Sequence, residues 1–283
     1  MNLLFVTDKP IFRSSNRHLS TLKRKYGTKK MGFSGTLDPF ATGCLIVAAG
    51  QYTRLFQYLK KTPKTYRATL WLGAESASLD IENILSIRDV PAVSEQRIRE
   101  VLASMEGELE YLPPKYSAKK IGGQRAYRIM REGGDAEMKS VRSKIYKIRL
   151  LHYRHPFVTF EATVGEGTYI RSLGAMIAEA LELPGTLSSL RRLNEGAFRI
   201  EGERPLDPLK YLAPPPNDYL GDPEWLDLGK KLQKRFFRRQ KNGLYVVESE
   251  RFFSILEFSD EGIRYRLNRI EKFRENKEWR MPR

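Results

Sequence analysis

From Lys64 to Gly73 the chain alternates: Tyr66, Ala68, Leu70 and Leu72 fall on one side, Arg67, Thr69 and Trp71 on the other. A period of two marks a strand with one buried face. It also pins the register, because a slip of one residue would turn the whole apolar set toward water. Residues 145–151 and 157–164 read as two more strands, paired with each other. Short apolar runs at 2–7 and 44–49 complete the strand set. Helical spacing appears between them. Leu19, Leu22 and Tyr26 share a face behind an Asn16 cap and stop at Gly27. Residues 53–59 read as a short helix. Ser94 caps a segment carrying Ile98, Val101, Leu102 and Met105, and Ile170, Leu173, Ile177, Ala180 and Leu181 mark another helix. Strands and helices mix without strict βαβ alternation. The fold class is therefore α+β, with a mixed, mainly antiparallel sheet flanked by helices.

Residues 205–224 hold Pro205, Pro208, Pro214, Pro215, Pro216 and Pro223 and read as a linker. Three regions follow: residues 1–204, the Pro-rich linker 205–224, and a small basic β-rich module, 225–283. That last module carries 16 Lys+Arg against 9 Asp+Glu. The whole chain has 50 Lys+Arg against 34 Asp+Glu, a formal +16. Such an excess favours a polyanionic partner, nucleic acid first. No segment shows the long apolar face beside a cationic one that a membrane-surface anchor needs. Cys44 is the single cysteine, so an internal disulfide framework and a thiolate cluster are excluded. His18, His152 and His155 are too scattered for a zinc site. The N-terminal apolar run is broken by Asp8 and Lys9 and does not read as a signal peptide. No metal is expected, and the chain is expected to be cytoplasmic.

Candidate chemistry sits in Gly32-Phe33-Ser34-Gly35-Thr36-Leu37-Asp38-Pro39-Phe40-Ala41-Thr42-Gly43. Glycines allow close approach of backbone to ligand, and Pro39 holds Asp38 extended. One carboxylate among small residues suits a carboxylate nucleophile and not a two-acid glycosidase. The other reading is a tight turn in which Asp38 bonds its own backbone. Arg171 stands at the start of the helix after Gly165 and Gly167. A helix N-terminus disfavours a cation, so an acid or phosphate held there would explain it. Residues 113–133 interleave Lys and Arg with Tyr116 and Tyr127 around Gly122-Gly123, a hinge or hairpin tip. Basic groups serve phosphates and aromatic rings serve bases. The run Lys230–Lys241, with Phe236 and Phe237, is either a core-facing strand or a binding surface.

Taken together these residues resemble the bacterial TruB-type tRNA pseudouridine synthases. The resemblance rests on Asp8-Lys9-Pro10 with Ser14-Ser15-Asn16, Gly35 to Gly43, Lys64-Thr65-Tyr66-Arg67, Pro113 to Gly133, Gly167 to Arg171, and Leu190-Arg191-Arg192-Leu193. It spans roughly residues 3–200. It implies that Asp38 is the nucleophile, that Arg171 pairs with and orients it, and that Tyr66 stacks on the target base and assists proton transfer. Tyr169 and Leu190 would line the base pocket together with Gly35, Thr36 and Leu37. Lys9, Pro10 and Arg54 would shape its floor and the phosphate contacts nearby. Residues 115–139, with Lys119, Lys120 and Arg125, would form an RNA-gripping insertion. The basic tail would be a reduced PUA-like RNA-binding module.

The implied activity is isomerisation of uridine 55 (tRNA numbering) in the T-arm, by base flipping, without cofactor or obligate protein partner and as a monomer. The family usually has His where this chain has Phe33; an aromatic ring there would either wedge into the RNA in its place, without the same hydrogen bond, or pack in the core beneath the loop. Two other readings stay open: a guide-RNA-dependent synthase of the dyskerin type, and a tRNA-folding chaperone with secondary catalysis.

Overall fold

The computed structural model describes residues 1–274 apart from Ala118 and Ala136. The last residues of the basic tail, 275–283, lie outside the described residues. The chain opens with β1 (Leu3–Lys9), α1 (Ser15–Lys25), β2 (Met31–Ser34) and β3 (Thr42–Ala49). The cap of α1 is Ser14 and not Asn16: its side chain accepts from Arg17 N. A Ser/Thr cap sits outside the helix with an extended backbone, which Ser14 has. Residues 50–58 form a 3₁₀ helix, tighter and earlier than the short helix expected from 53–59.

The alternating segment is β4 (Lys64–Leu72), with Tyr66, Ala68, Leu70 and Leu72 all buried. Then come the small hairpin of β5 (Ala74–Ser76) and β6 (Ile84–Ile87), α2 (Glu95–Ser104) capped by Ser94, and β7 (Gly107–Tyr111). The insertion holds β8 (Lys120–Ile121), β9 (Gln124–Arg125) and α3 (Ala126–Arg131). Gly122 and Gly123, both at positive φ, form its hairpin tip. The remaining elements are β10 (Val141–Arg154), β11 (Phe157–Val164), α4 (Ile170–Ala180), β12 (Gly185–Glu195), β13 (Phe198–Arg199), α5 (Pro223–Leu228), β14 (Gly243–Glu248), β15 (Phe252–Ser259) and β16 (Gly262–Glu271).

The large sheet runs β1-β3-β12-β4-β11-β10-β7, with β2 on β3 and β13 on β12. All its pairings are antiparallel except β3 with β12, which touch in parallel at Thr42 and Gly43 opposite Arg191 and Arg192. Along the edge of β3 that faces away from β1 the partner therefore changes. It is β12 at Thr42 and Gly43, and β2 from Ile46 to Ala49. Residues 35–41 leave the sheet at this fork, so the Asp38 loop stands where two strands part.

Helices α2 and α4 bury Ile98, Val101, Leu102, Leu173 and Ile177 against Leu70, Phe160 and Leu187 of the sheet. Helix α1 packs Leu19 and Leu22 on Leu3, Phe5 and Val47. Leu4, Val6, Ile46 and Ala48 share a core with Phe253, Ile255, Leu267 and Ile270 of the C-terminal strands. The Pro-rich stretch is laid down between them by pairings of Leu212 with Leu59, Pro216 with Val246, and Tyr219 with Phe237. Phe237 is itself core, packed with Tyr245 and Phe258, which resolves the two readings of the basic run at that position.

Candidate active site

The fork puts Asp38 against the N-terminus of α4. Arg171, the second residue of that helix and 3% exposed, directs Nε to Asp38 Oδ2 at 2.9 Å. Its Nη1 reaches Asp80 Oδ2 at 3.1 Å and donates to Ser78 O at 2.6 Å. Its Nη2 donates to Tyr116 O at 2.8 Å. A planar guanidinium can satisfy such a fan of acceptors, and an ammonium cannot. The cation at a helix start is thus held by two acids, as that placement demanded. Asp80 is 1% exposed and accepts from Ser78 Oγ at 2.6 Å and Glu82 N at 3.0 Å. Burial pushes the Asp38 carboxyl above the usual range; Arg171 opposes that, and the Asp80 charge adds to it. The Asp38 side chain still has 34% of its surface open.

The loop itself is fastened from below. Ser15 Oγ donates to Leu37 O and accepts from Leu37 N, both at 3.0 Å. Lys9 is fully buried, and its Nζ donates to Pro10 O, Arg13 O and Pro39 O at 2.9, 2.6 and 3.2 Å. Burial pulls its ammonium down to about 8, while the Asp38 charge works the other way. A second buried arginine, Arg192, donates from Nε to Cys44 O at 2.7 Å and from Nη2 to Gly35 O at 3.0 Å. Its Nη1 pairs with Glu195 at 2.7 Å, and Lys64 reaches the same carboxylate at 3.4 Å. Gly43 is obligatory here: at φ +105, a Cβ would lie 2.2 Å from Arg192 O.

Two cavities flank Asp38. One of about 320 Å³ is lined by Gly35, Thr36, Leu37, Asp38, Tyr66, Lys119, Tyr169, Arg171 and Leu190, with Lys64 and Arg192 behind. The other, about 640 Å³, runs from Asp38 and Arg171 to Ser14, Asn16, Asp80, Glu82 and Met130. The smaller has the size and lining for a planar heterocycle between Tyr66 and Leu190, with Asp38 at one wall. No cluster of His, Cys, Asp and Glu suited to a metal occurs among the described residues.

Nine of the expected residues meet in that smaller cavity. Others do not. Lys9 lies under the loop and not on the cavity wall. Pro10 is exposed in the turn after β1. Arg54 is exposed on the 3₁₀ helix and lines neither cavity at Asp38. Phe33 is half-buried, pairs with Val47 in β2, and packs against the α1 core. It lines neither cavity at Asp38. Lys120 and Arg125 belong to the β8–β9 hairpin, where Arg125 is exposed. The sequence reading missed Asp80, Arg192 and Glu195. A carboxylate inside Ser78-Leu79-Asp80, with Leu79 at φ +62, carries no pattern that would announce it.

Residues 23–170 match the TruB family pseudouridylate synthase (N terminal domain) model. A tRNA pseudouridine synthase B from Sulfurovum sp. (strain NBC37-1) is 60% identical over 273 residues, 96% of this chain and 99% of that protein. One from Campylobacter curvus is 46% identical over 272 residues, 96% of this chain and 100% of that protein. Among solved structures, a Cbf5-Nop10-Gar1 complex aligns with TM-score 0.65 at 20% identity, covering 96% of this chain and 85% of that one. An H/ACA RNP bound to a substrate RNA aligns at 0.64 and 21%, covering 96% and 86%. These two likenesses are of fold.

Proposed function

This chain belongs to the TruB family of pseudouridylate synthases, and we propose that it isomerises uridine 55 in the T-arm of tRNA to pseudouridine. The observation that carries this reading is the Arg171–Asp38 pair, at 2.9 Å, on the wall of a cavity framed by Tyr66, Tyr169 and Leu190. The reaction breaks the N1–C1′ glycosidic bond, turns the uracil, and joins C5 to C1′. The proton leaves C5 and N1 ends protonated, so nothing is oxidised and no group is donated from outside.

Arg171 engages Oδ2 of Asp38, and in this reading Oδ1 is the reacting oxygen. That oxygen either attacks the sugar carbon or assists loss of a sugar proton to a glycal. Tyr66 stacks on the uracil and stands ready for the proton. Leu190 and Tyr169 hold the ring while it turns. Extruding the uridine costs a few kcal/mol, and stacking on an aromatic ring returns about 1–3 kcal/mol. Lys119 and the β8–β9 hairpin grip the backbone of the RNA. The enzyme works alone, as a monomer in the cytoplasm, with the basic C-terminal strands as a second contact to the tRNA.

Purified protein incubated with an unmodified tRNA transcript, followed by pseudouridine mapping, tests this. Product at uridine 55 without added RNA or protein is expected. Product only with a guide RNA and partner proteins would favour the guided reading. Asp38→Asn should abolish product and leave tRNA affinity nearly intact, since it keeps size and removes only the reacting charge. Turnover by that variant within tenfold of wild type would remove Asp38 from its role.

A further inference from the structure

The turn between β1 and α1 breaks two rules of a stable surface. Phe12 adopts φ +55, a left-handed backbone that is an outlier for a bulky side chain. Its ring is 63% exposed, and the preceding Ile11 is 49% exposed. Neither the strained backbone nor the wetted ring contributes to the fold. Local strain of this kind gathers at functional sites, where something outside the fold makes use of it.

The turn is fastened to the Asp38 loop. Buried Lys9 binds Pro10 O and Arg13 O on the turn, and Pro39 O beside Asp38, through one ammonium. Ser14, Ser15 and Asn16, which follow directly, line the larger cavity with Asp38 and Arg171. Phe12 lies two residues before Ser14 of the cavity wall, at most about 7 Å of chain away. Arg13 follows it directly, Arg17 stands in the first turn of α1, and at the other end of the turn Asp8 pairs with Arg191 of β12 at 2.6 Å. An exposed aromatic ring among cations beside a catalytic cleft has the composition of a single-stranded nucleic-acid platform.

We propose that Phe12 stacks on an unpaired base of the substrate RNA loop at the rim of the Asp38 cavity, with Ile11 covering the base edge and Arg13 meeting the adjoining phosphate. This rests on the RNA-isomerase reading above. Phe33 packs on the α1 core and does not line that cavity.

The test compares wild type with Phe12→Gly, Phe12→Leu and Phe12→Trp. Measured are melting temperature, single-turnover rate on a tRNA transcript, and affinity in the Asp38→Asn background over a salt series. Glycine adopts φ +55 freely, so Phe12→Gly should melt at or above wild type. It should bind the transcript about 5- to 150-fold more weakly, the range for losing one base–aromatic stack. The salt slope should not change, because phosphate contacts remain. Trp should bind as wild type does, and Leu should lose nearly as much as Gly. Full affinity in Phe12→Gly, or in Phe12→Leu, overturns the stacking role. A lower melting temperature in Phe12→Gly, with RNA loss that follows unfolding, makes Phe12 structural and overturns it as well. A wild type that leaves the transcript unmodified would fault the isomerase reading instead.

Discussion

Asp80 is the residue on which the geometry of the site makes its most exacting claim. Replacing it by Ala strips acceptors from Arg171 Nη1 at 3.1 Å, Ser78 Oγ at 2.6 Å and Glu82 N at 3.0 Å. Breaking one side of a buried ion pair costs about 3–5 kcal/mol. Arg171 keeps Asp38, Ser78 O and Tyr116 O, which places the loss at the lower end, about 3 kcal/mol. At about 2–4 °C per kcal/mol for a chain near this size, the melting temperature should fall by about 6–12 °C. Asp80→Asn keeps the Oδ1 acceptor for Ser78 and Glu82 but sets an amide NH2 against Arg171 Nη1 in place of Oδ2, so it loses the ion pair and spares the other two bonds, and its thermal loss should be smaller than that of Ala.

The sign of the pH effect is the sharper result. The Asp80 charge helps hold the Asp38 carboxyl high. Without it Asp38 ionises more readily, so the acid limb of the rate profile should move to lower pH in Asp80→Asn. Single-turnover rates across pH on folded protein, with thermal melts in parallel, measure both effects. An acid limb that stays put or moves to higher pH would refute the electrostatic link between Asp80 and Asp38.

Three further outcomes follow from the same geometry. Phe33→Ala should lower stability by about 1–2 kcal/mol, less than for a fully buried ring, with an unchanged single-turnover rate per folded molecule; a large rate loss at an unchanged melting temperature would return Phe33 to the RNA. Gly43→Ala should cost at least about 2 kcal/mol, read by denaturant unfolding, because the neighbour at 2.2 Å is backbone and cannot turn aside. Arg125→Ala, on the exposed hairpin, should reduce the slope of log affinity against log salt by about one, at all RNA sequences alike.

Much of this was legible in the sequence because the signals were local. The alternation of residues 64–72 delivered β4 and placed Tyr66 on its buried face. A cation at the start of α4 announced an acid, and Asp38 is there. What stayed hidden was contributed from afar. Asp80 meets Arg171 across 91 residues, and Arg192 meets Gly35 across 157, distances over which periodicity carries no information. Adjacency also misled. Phe33 lies five positions from Asp38 and, through Val47, on the same face of the sheet, yet it packs with the α1 core and lines neither cavity. Arg54 follows the fork in sequence, but the 3₁₀ helix carries it to the surface.

The parallel touch of β3 on β12 has a meaning in time. The Asp38 loop leaves the ribosome well before the segments that hold it. Arg171 lies 133 positions later, and Arg192 lies 154 positions later. At about 5–20 residues per second the loop waits about 8–30 s for Arg192 to be made. Until then the Asp38 loop lacks the two arginines that hold it, and its geometry cannot form.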